Sequence, residues 1–143
     1  MTKRRVRSWL TESPPVGAAI GTPGRAAEHM GVYIGAYGPF ERAVAHNRKG
    51  QRVLVEPIEV FAPSGYFWVA RRAPRGHEAT IVGRMLWLAQ AGRRYDLWAY
   101  NCEHAVSWAF TGVPRSPQLD ETLRFAATLG TFALMIHALS ADA

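Results

Sequence analysis

The feature that most constrains this chain is a single change of hydrophobic period, which falls across "APRGH", residues 73 to 77. Before it, apolar residues recur with a period of two. In "HMGVYIG" Met30, Val32 and Ile34 alternate with His29, Gly31 and Tyr33, the pattern of a strand with two distinct faces. Tyr37-Gly38-Pro39 reads as a turn, and "ERAVAHNR" returns as the antiparallel partner before Lys49-Gly50 turns the chain again. "RVLVEPIEVF" is β-rich, and Pro57 demands an edge, a bend or a break into two pieces. "APSG" is another turn and "YFWVARR" another strand, while upstream "PPVGAAIGTPG" reads as the start of a strand followed by a turn. The expectation is a run of antiparallel strands joined by hairpins.

After the change the spacing is helical. From Glu78 to Ala91 the residues Val82, Met85, Leu86 and Ala89 recur on one face, and Gly92 suits a C-cap. A second helix fits Cys102 to Thr111, with Cys102, Ala105, Val106, Ala109 and Phe110 on one face. Asn101 is placed to cap its start, and Gly112 and Pro114 end it. Strands first and helices afterwards predict an α+β fold, a small antiparallel sheet with helices packed on one side.

Length and composition set the outer bounds. With 143 residues, 48% of them hydrophobic and 20% charged, the chain suits one domain with its own core. Its organisation reads as a basic N-terminal tail (1–14), a central domain (15–119) and an apolar C-terminal helix (120–143). The net charge of +6 fits arginine-rich composition or attraction to an anionic surface. No nucleic-acid-binding module surrounds the scattered arginines, so no specific nucleic acid is expected. The cluster Lys3, Arg4, Arg5 and Arg7 reads as a solvated tail. "SWLTESPPVGAAIG" contains no unbroken apolar core, so no signal peptide is expected. The apolar run from Phe125 to Leu139 falls short of the roughly 20 residues of a membrane span. It reads first as a helix packed on the domain or a partner, and second as a membrane-associated helix. A cytoplasmic location follows, with attachment to a membrane as the second reading.

Cys102 is the single cysteine, which excludes an internal disulfide and favours a reducing compartment. A lone cysteine is usually a small buried hydrophobe. Here it opens a helix, where unpaired N–H groups and the positive dipole end favour a thiolate and suit an oxyanion. His104 is two residues on, about 200° around the helix axis, so it turns away from Cys102 toward solvent or a helix-start hydrogen bond. The base must come from elsewhere, and His29, His46, His77 and His137 are the candidates. His29 and His46 lie on adjacent strands, where one imidazole would take the thiol proton and the other orient it. His77 reads as a helix-start residue and His137 as part of the apolar helix. No metal site is expected, because Cys-x-His alone lacks the ligand spacing zinc needs. No cofactor is expected either.

"HMGVYIG" resembles the histidine strand of lecithin:retinol acyltransferase-like proteins, a branch of the NlpC/P60 papain-like superfamily. "NCEHAVSWAFTG" resembles the branch's Asn-Cys-Glu-His signature, with "YDLWAY" before it and "GVPRSPQL" after it in similar positions. The resemblance spans about Gly17 to Leu119. It implies a circularly permuted papain-like fold with Cys102 as nucleophile, His29 as base and His46 as the orienting histidine. It also implies an acyl-cysteine thioester, formed from a phospholipid or other ester and passed to an alcohol, an amine or water. The chain departs from the family in a longer interval between His29 and His46, in Ala105 where an aromatic is usual, and in Ala27 where some members carry tyrosine.

The expected function is therefore cysteine-dependent acyl transfer or lipid acyl hydrolysis. The partners would be an ester or phospholipid donor and an anionic membrane surface met by the basic tail and the C-terminal helix. Two alternatives stand beside it: an NlpC/P60-type peptidase or amidase, and a non-catalytic binding or membrane-associated module on the same fold.

Overall fold

A computed structural model describes residues 4–24, 28–47, 52–91 and 102–112, the side chains of Ala91 and Cys102 excepted. Asn101, Gly92, Pro114, His137 and the expected C-terminal helix lie outside the described residues. The elements are β1 (Arg7–Ser8), β2 (Ala19–Thr22), β3 (His29–Tyr37), β4 (Phe40–Asn47), β5 (Val53–Pro57), α1 (Ile58–Phe61), β6 (Tyr66–Arg71), α2 (Glu78–Ala91) and α3 (Cys102–Thr111).

The strands form one six-stranded antiparallel sheet in the order β1-β6-β2-β3-β4-β5. The α+β class read from the sequence is the observed one. From β2 to β5 each strand pairs with the next, as hairpin spacing predicts. The simple hairpin series ends there. After β5 the chain crosses one face of the sheet through α1, and β6 returns to pair with β2. Pro57 produces two of its three expected effects. It lies in an edge strand, and it leads directly into α1.

Alternation along β3 and β4 divides the core in two. Val32, Ile34, Ala43 and Ala45 point to one face and meet Ile81, Met85 and Leu88 of α2 and Ala105, Val106 and Ala109 of α3. Tyr33 and Val44 point to the other and meet Ala18, Ile20, Ile58, Phe61, Ala62 and Phe67. Helices thus cover both faces, where packing on one side was expected. On α2 the fully buried residues are Ile81, Met85 and Leu88, and the expected Val82, Leu86 and Ala89 are partly buried against the same core, because α2 packs on both the sheet and α3. At the end of α3, Gly112 adopts φ 72° and its N–H donates to the Trp108 carbonyl at 2.7 Å, the left-handed cap glycine favours.

The N-terminal segment is anchored from Arg7 onward, which corrects the expectation of a solvated tail over that stretch. Arg7 and Ser8 pair with Phe67 and Tyr66. The Trp9 indole N–H donates to the Ala62 carbonyl at 2.8 Å, and the Arg42 guanidinium lies over the Trp9 ring and donates to its carbonyl. An indole that finds both an apolar bed and an acceptor overrides the local charge pattern. No helix among the described residues is long and apolar enough to cross a membrane.

Candidate active site

His29 is the first residue of β3 and His46 the last but one of β4. The register pairs His46 with Gly31, so His29 stands diagonally across from it on the same face. The two rings meet edge to face, and His29 Nε2 lies 2.7 Å from His46 Nδ1. The structure thus brings together the two histidines that the sequence singled out.

Gly31 makes that meeting possible. A Cβ there would stand 2.8 Å from Val44 Cγ1 and 3.0 Å from both the Ala45 carbonyl oxygen and His46 Cβ. Any side chain would push β4 or the His46 ring aside. The glycine of "HMGVYIG" therefore has a packing reason of its own.

On its far side His46 reaches Glu56. Register places Leu54 opposite His46 and Glu56 two residues further along the same face of β5. The Glu56 Oε2 atom lies 2.7 Å from His46 Nε2. Phe61 of α1 packs against both imidazoles, with ring centroids 5.2 Å from each. His46 is 1% exposed, so its polar atoms depend on protein partners. The result is a hydrogen-bonded series from the sheet edge inward: Glu56, His46, His29.

Sequence reasoning missed Glu56 and Phe61. The alternation of "VLVEP" marks Glu56 as sharing a face with Leu54, but its partner emerges only from the β4–β5 register.

Cys102 is the first residue of α3, where the sequence placed it, and its side chain lies outside the described residues. The helix packs on β3 and β4, the strands that carry the histidines. It does so on the Val32–Ala45 face, whereas His29 and His46 point to the Tyr33–Val44 face.

His104 is buried, at 5% exposure, so of its two expected settings, solvent or a helix-start hydrogen bond, the first is corrected. A helical wheel contains one helix against one sheet. Trp108, one turn on from His104, meets Trp87 of α2 with ring centroids 5.7 Å apart, so α3 is covered on a second side as well. His77 is exposed and accepts the Ile81 N–H at its carbonyl, a helix-start residue as expected. Among the described residues no group of three His, Cys, Asp or Glu side chains is arranged to hold a metal ion. The ring nitrogens of His29 and His46 face one another instead of converging on a common point. No protein-family model matches this chain, and no curated protein matches it.

Proposed function

We propose that the protein is a cysteine-dependent acyltransferase or lipid acyl hydrolase on a circularly permuted papain-like fold, with Cys102 as nucleophile and His29 as base. The observation that carries this reading is the hydrogen bond between His29 Nε2 and the buried His46. It orients one imidazole at the end of a strand, as a triad orients its base. The occurrence of "NCEH" at the start of α3 supplies the nucleophile, and the helix start supplies N–H donors and a favourable dipole.

In this reading His29 takes the thiol proton, and the Cys102 sulfur attacks the carbonyl carbon of an ester. The α3 N–H groups hold the oxyanion of the tetrahedral adduct. Collapse expels the alcohol, which takes its proton from the His29 imidazolium and leaves an acyl-Cys102 thioester. Water, an alcohol or an amine then attacks the thioester, with His29 again the base, and the thiol is restored. The net charge of +6 suits a donor held at an anionic lipid surface. The single cysteine suits a reducing compartment such as the cytoplasm.

Intact-mass measurement after incubation with short-chain phospholipids tests the proposal. The expected result is one acyl adduct per chain, lost in Cys102→Ala and decayed by hydroxylamine. Turnover of peptides or muropeptides with no ester turnover would replace it with an amidase. A Cys102 thiol that alkylates no faster than free cysteine across the pH range would replace it with a non-catalytic module.

A further inference from the structure

The series Glu56–His46–His29 contains more information than a base and its orienting partner. We propose that Glu56 is a positioning residue that fixes the tautomers of both histidines, so that His29 offers its lone pair from Nδ1. The inference rests on the reading of His29 as base, and it adds which atom acts and what holds it in that state.

An ionised carboxylate only accepts, so the 2.7 Å contact at Glu56 Oε2 places the proton of His46 on Nε2. A neutral His46 then presents Nδ1 as an acceptor. Across the second 2.7 Å contact the donor must be His29 Nε2–H, which leaves the lone pair of neutral His29 on Nδ1. Reversing the first bond reverses the rest. If His46 carried its proton on Nδ1 it would donate to His29 Nε2, and the His29 proton would move to Nδ1, where a thiol proton has to arrive. An imidazolium at His46 would have the same consequence, because both of its nitrogens donate.

Burial makes the carboxylate matter. His46 is 1% exposed, and the Glu56 side chain is 21% exposed. Bulk water therefore has little access to replace Glu56 on His46 Nε2, and Phe61 closes the rings from α1. A wrong tautomer in a comparable serine-protease triad costs about 10⁴ in rate.

The test uses full-length protein labelled with ¹⁵N at histidine, with resonances assigned through His29→Gln and His46→Gln. At pH 7 the wild type is expected to show both rings neutral and protonated at Nε2. The variant Glu56→Gln preserves the shape of the side chain, but its amide can donate as well as accept. It is expected to shift His46 and His29 toward their Nδ1–H forms and to slow alkylation of Cys102 by at least about tenfold. A merely structural Glu56 would leave tautomers and rate unchanged in this near-isosteric variant, and that result overturns the proposal. So does a wild-type spectrum with His46 doubly protonated, or with either ring protonated at Nδ1 alone. Should Glu56→Gln not fold, the wild-type spectrum decides by itself. The ring tautomers are read without reference to the thiol. The assigned tautomers together with an inert Cys102 would therefore sink the functional reading and leave the role of Glu56 standing.

Discussion

The two faces of the sheet bury their apolar side chains in different company. Toward α2 and α3, Val32, Ile34, Ala43 and Ala45 meet Ile81, Met85, Leu88, Ala105 and Ala109, an aliphatic layer with no ring among its fully buried members. Toward α1, the apolar layer of Tyr33, Val44, Ile58 and Phe61 borders His46, His29 and Glu56. A buried imidazole costs stability unless its nitrogens are bonded, and an aliphatic side chain at the same place needs no partner. The helix face shows that this sheet can close its core without such a series. The α1 face thus carries a polar cost that apolar packing does not require, which the proposed function would explain. Lesions on the first face should read out as lost stability, and lesions on the second as lost reactivity.

The largest effect tests the α1 face. Replacing His29 by alanine removes the proposed base, and we expect Cys102 alkylation and ester turnover to fall by about 10²–10⁴-fold. The thermal midpoint should fall by roughly 4–12 °C, since the buried His46 ring loses the partner of its Nδ1. A large drop in melting temperature with unchanged reactivity would invert the comparison. The helix face is tested by Met85→Ala, which empties a fully buried position. That change should cost about 2–5 kcal/mol in chemical denaturation. Thiol reactivity, measured where the variant is folded, should stay at the wild-type level.

Gly31→Ala sharpens the distinction because it adds a methyl group and changes no charge. Its Cβ would press on Val44 Cγ1, the Ala45 carbonyl and His46 Cβ. Overpacking of this kind costs about 1–3 kcal/mol. On the α1 face it should also displace the His46 ring and lower the alkylation rate by about tenfold, a coupling that Met85→Ala should lack. Stability loss with full reactivity in Gly31→Ala would separate the glycine from the site.

These contrasts also show where the sequence was legible. The β3–β4 hairpin and its histidines stood out because period-two alternation assigns faces from local residues alone, and the bounds of α2 and α3 followed from helical spacing, with Gly112 closing α3. Three features needed partners distant along the chain. Glu56 joins the site through the register between β4 and β5, which no local pattern sets. The return of β6 to β2 depends on α1 crossing the sheet, and the burial of His104 depends on covering beyond the sheet that a single helical wheel does not contain. Trp9 belongs with them, since its acceptor at Ala62 is 53 residues away.

The smallest effect concerns the seam where the two faces meet, at the start of β3. Glu28 precedes His29 and forms an exposed hydrogen-bonded ion pair with Arg4, whose guanidinium also lies over the Trp68 ring at 5.3 Å. Trp68 pairs in register with Gly21, which pairs with Met30 on the helix face. The pair thus ties the N-terminal segment to the helix face beside His29. The hydrogen bond from Arg4, with its charge, holds the Glu28 carboxyl below its ordinary value of 4.5. A carboxyl depressed in the folded state adds stability above its unfolded value, and that stability is lost as pH falls through the folded value. Both side chains are more than half exposed, so solvent and salt screen the contribution. The gap in melting temperature between wild type and Glu28→Gln should therefore be small at pH 7, shrink below pH 4.5, and narrow in high salt at either pH. Because the Glu28 carboxylate is bonded to Arg4 and not placed in the Glu56–His46–His29 series, Cys102 alkylation should be unaffected at neutral pH. A gap that persists unchanged at pH 3 would mean that the glutamine acts through packing at the seam and not through the charge of Glu28.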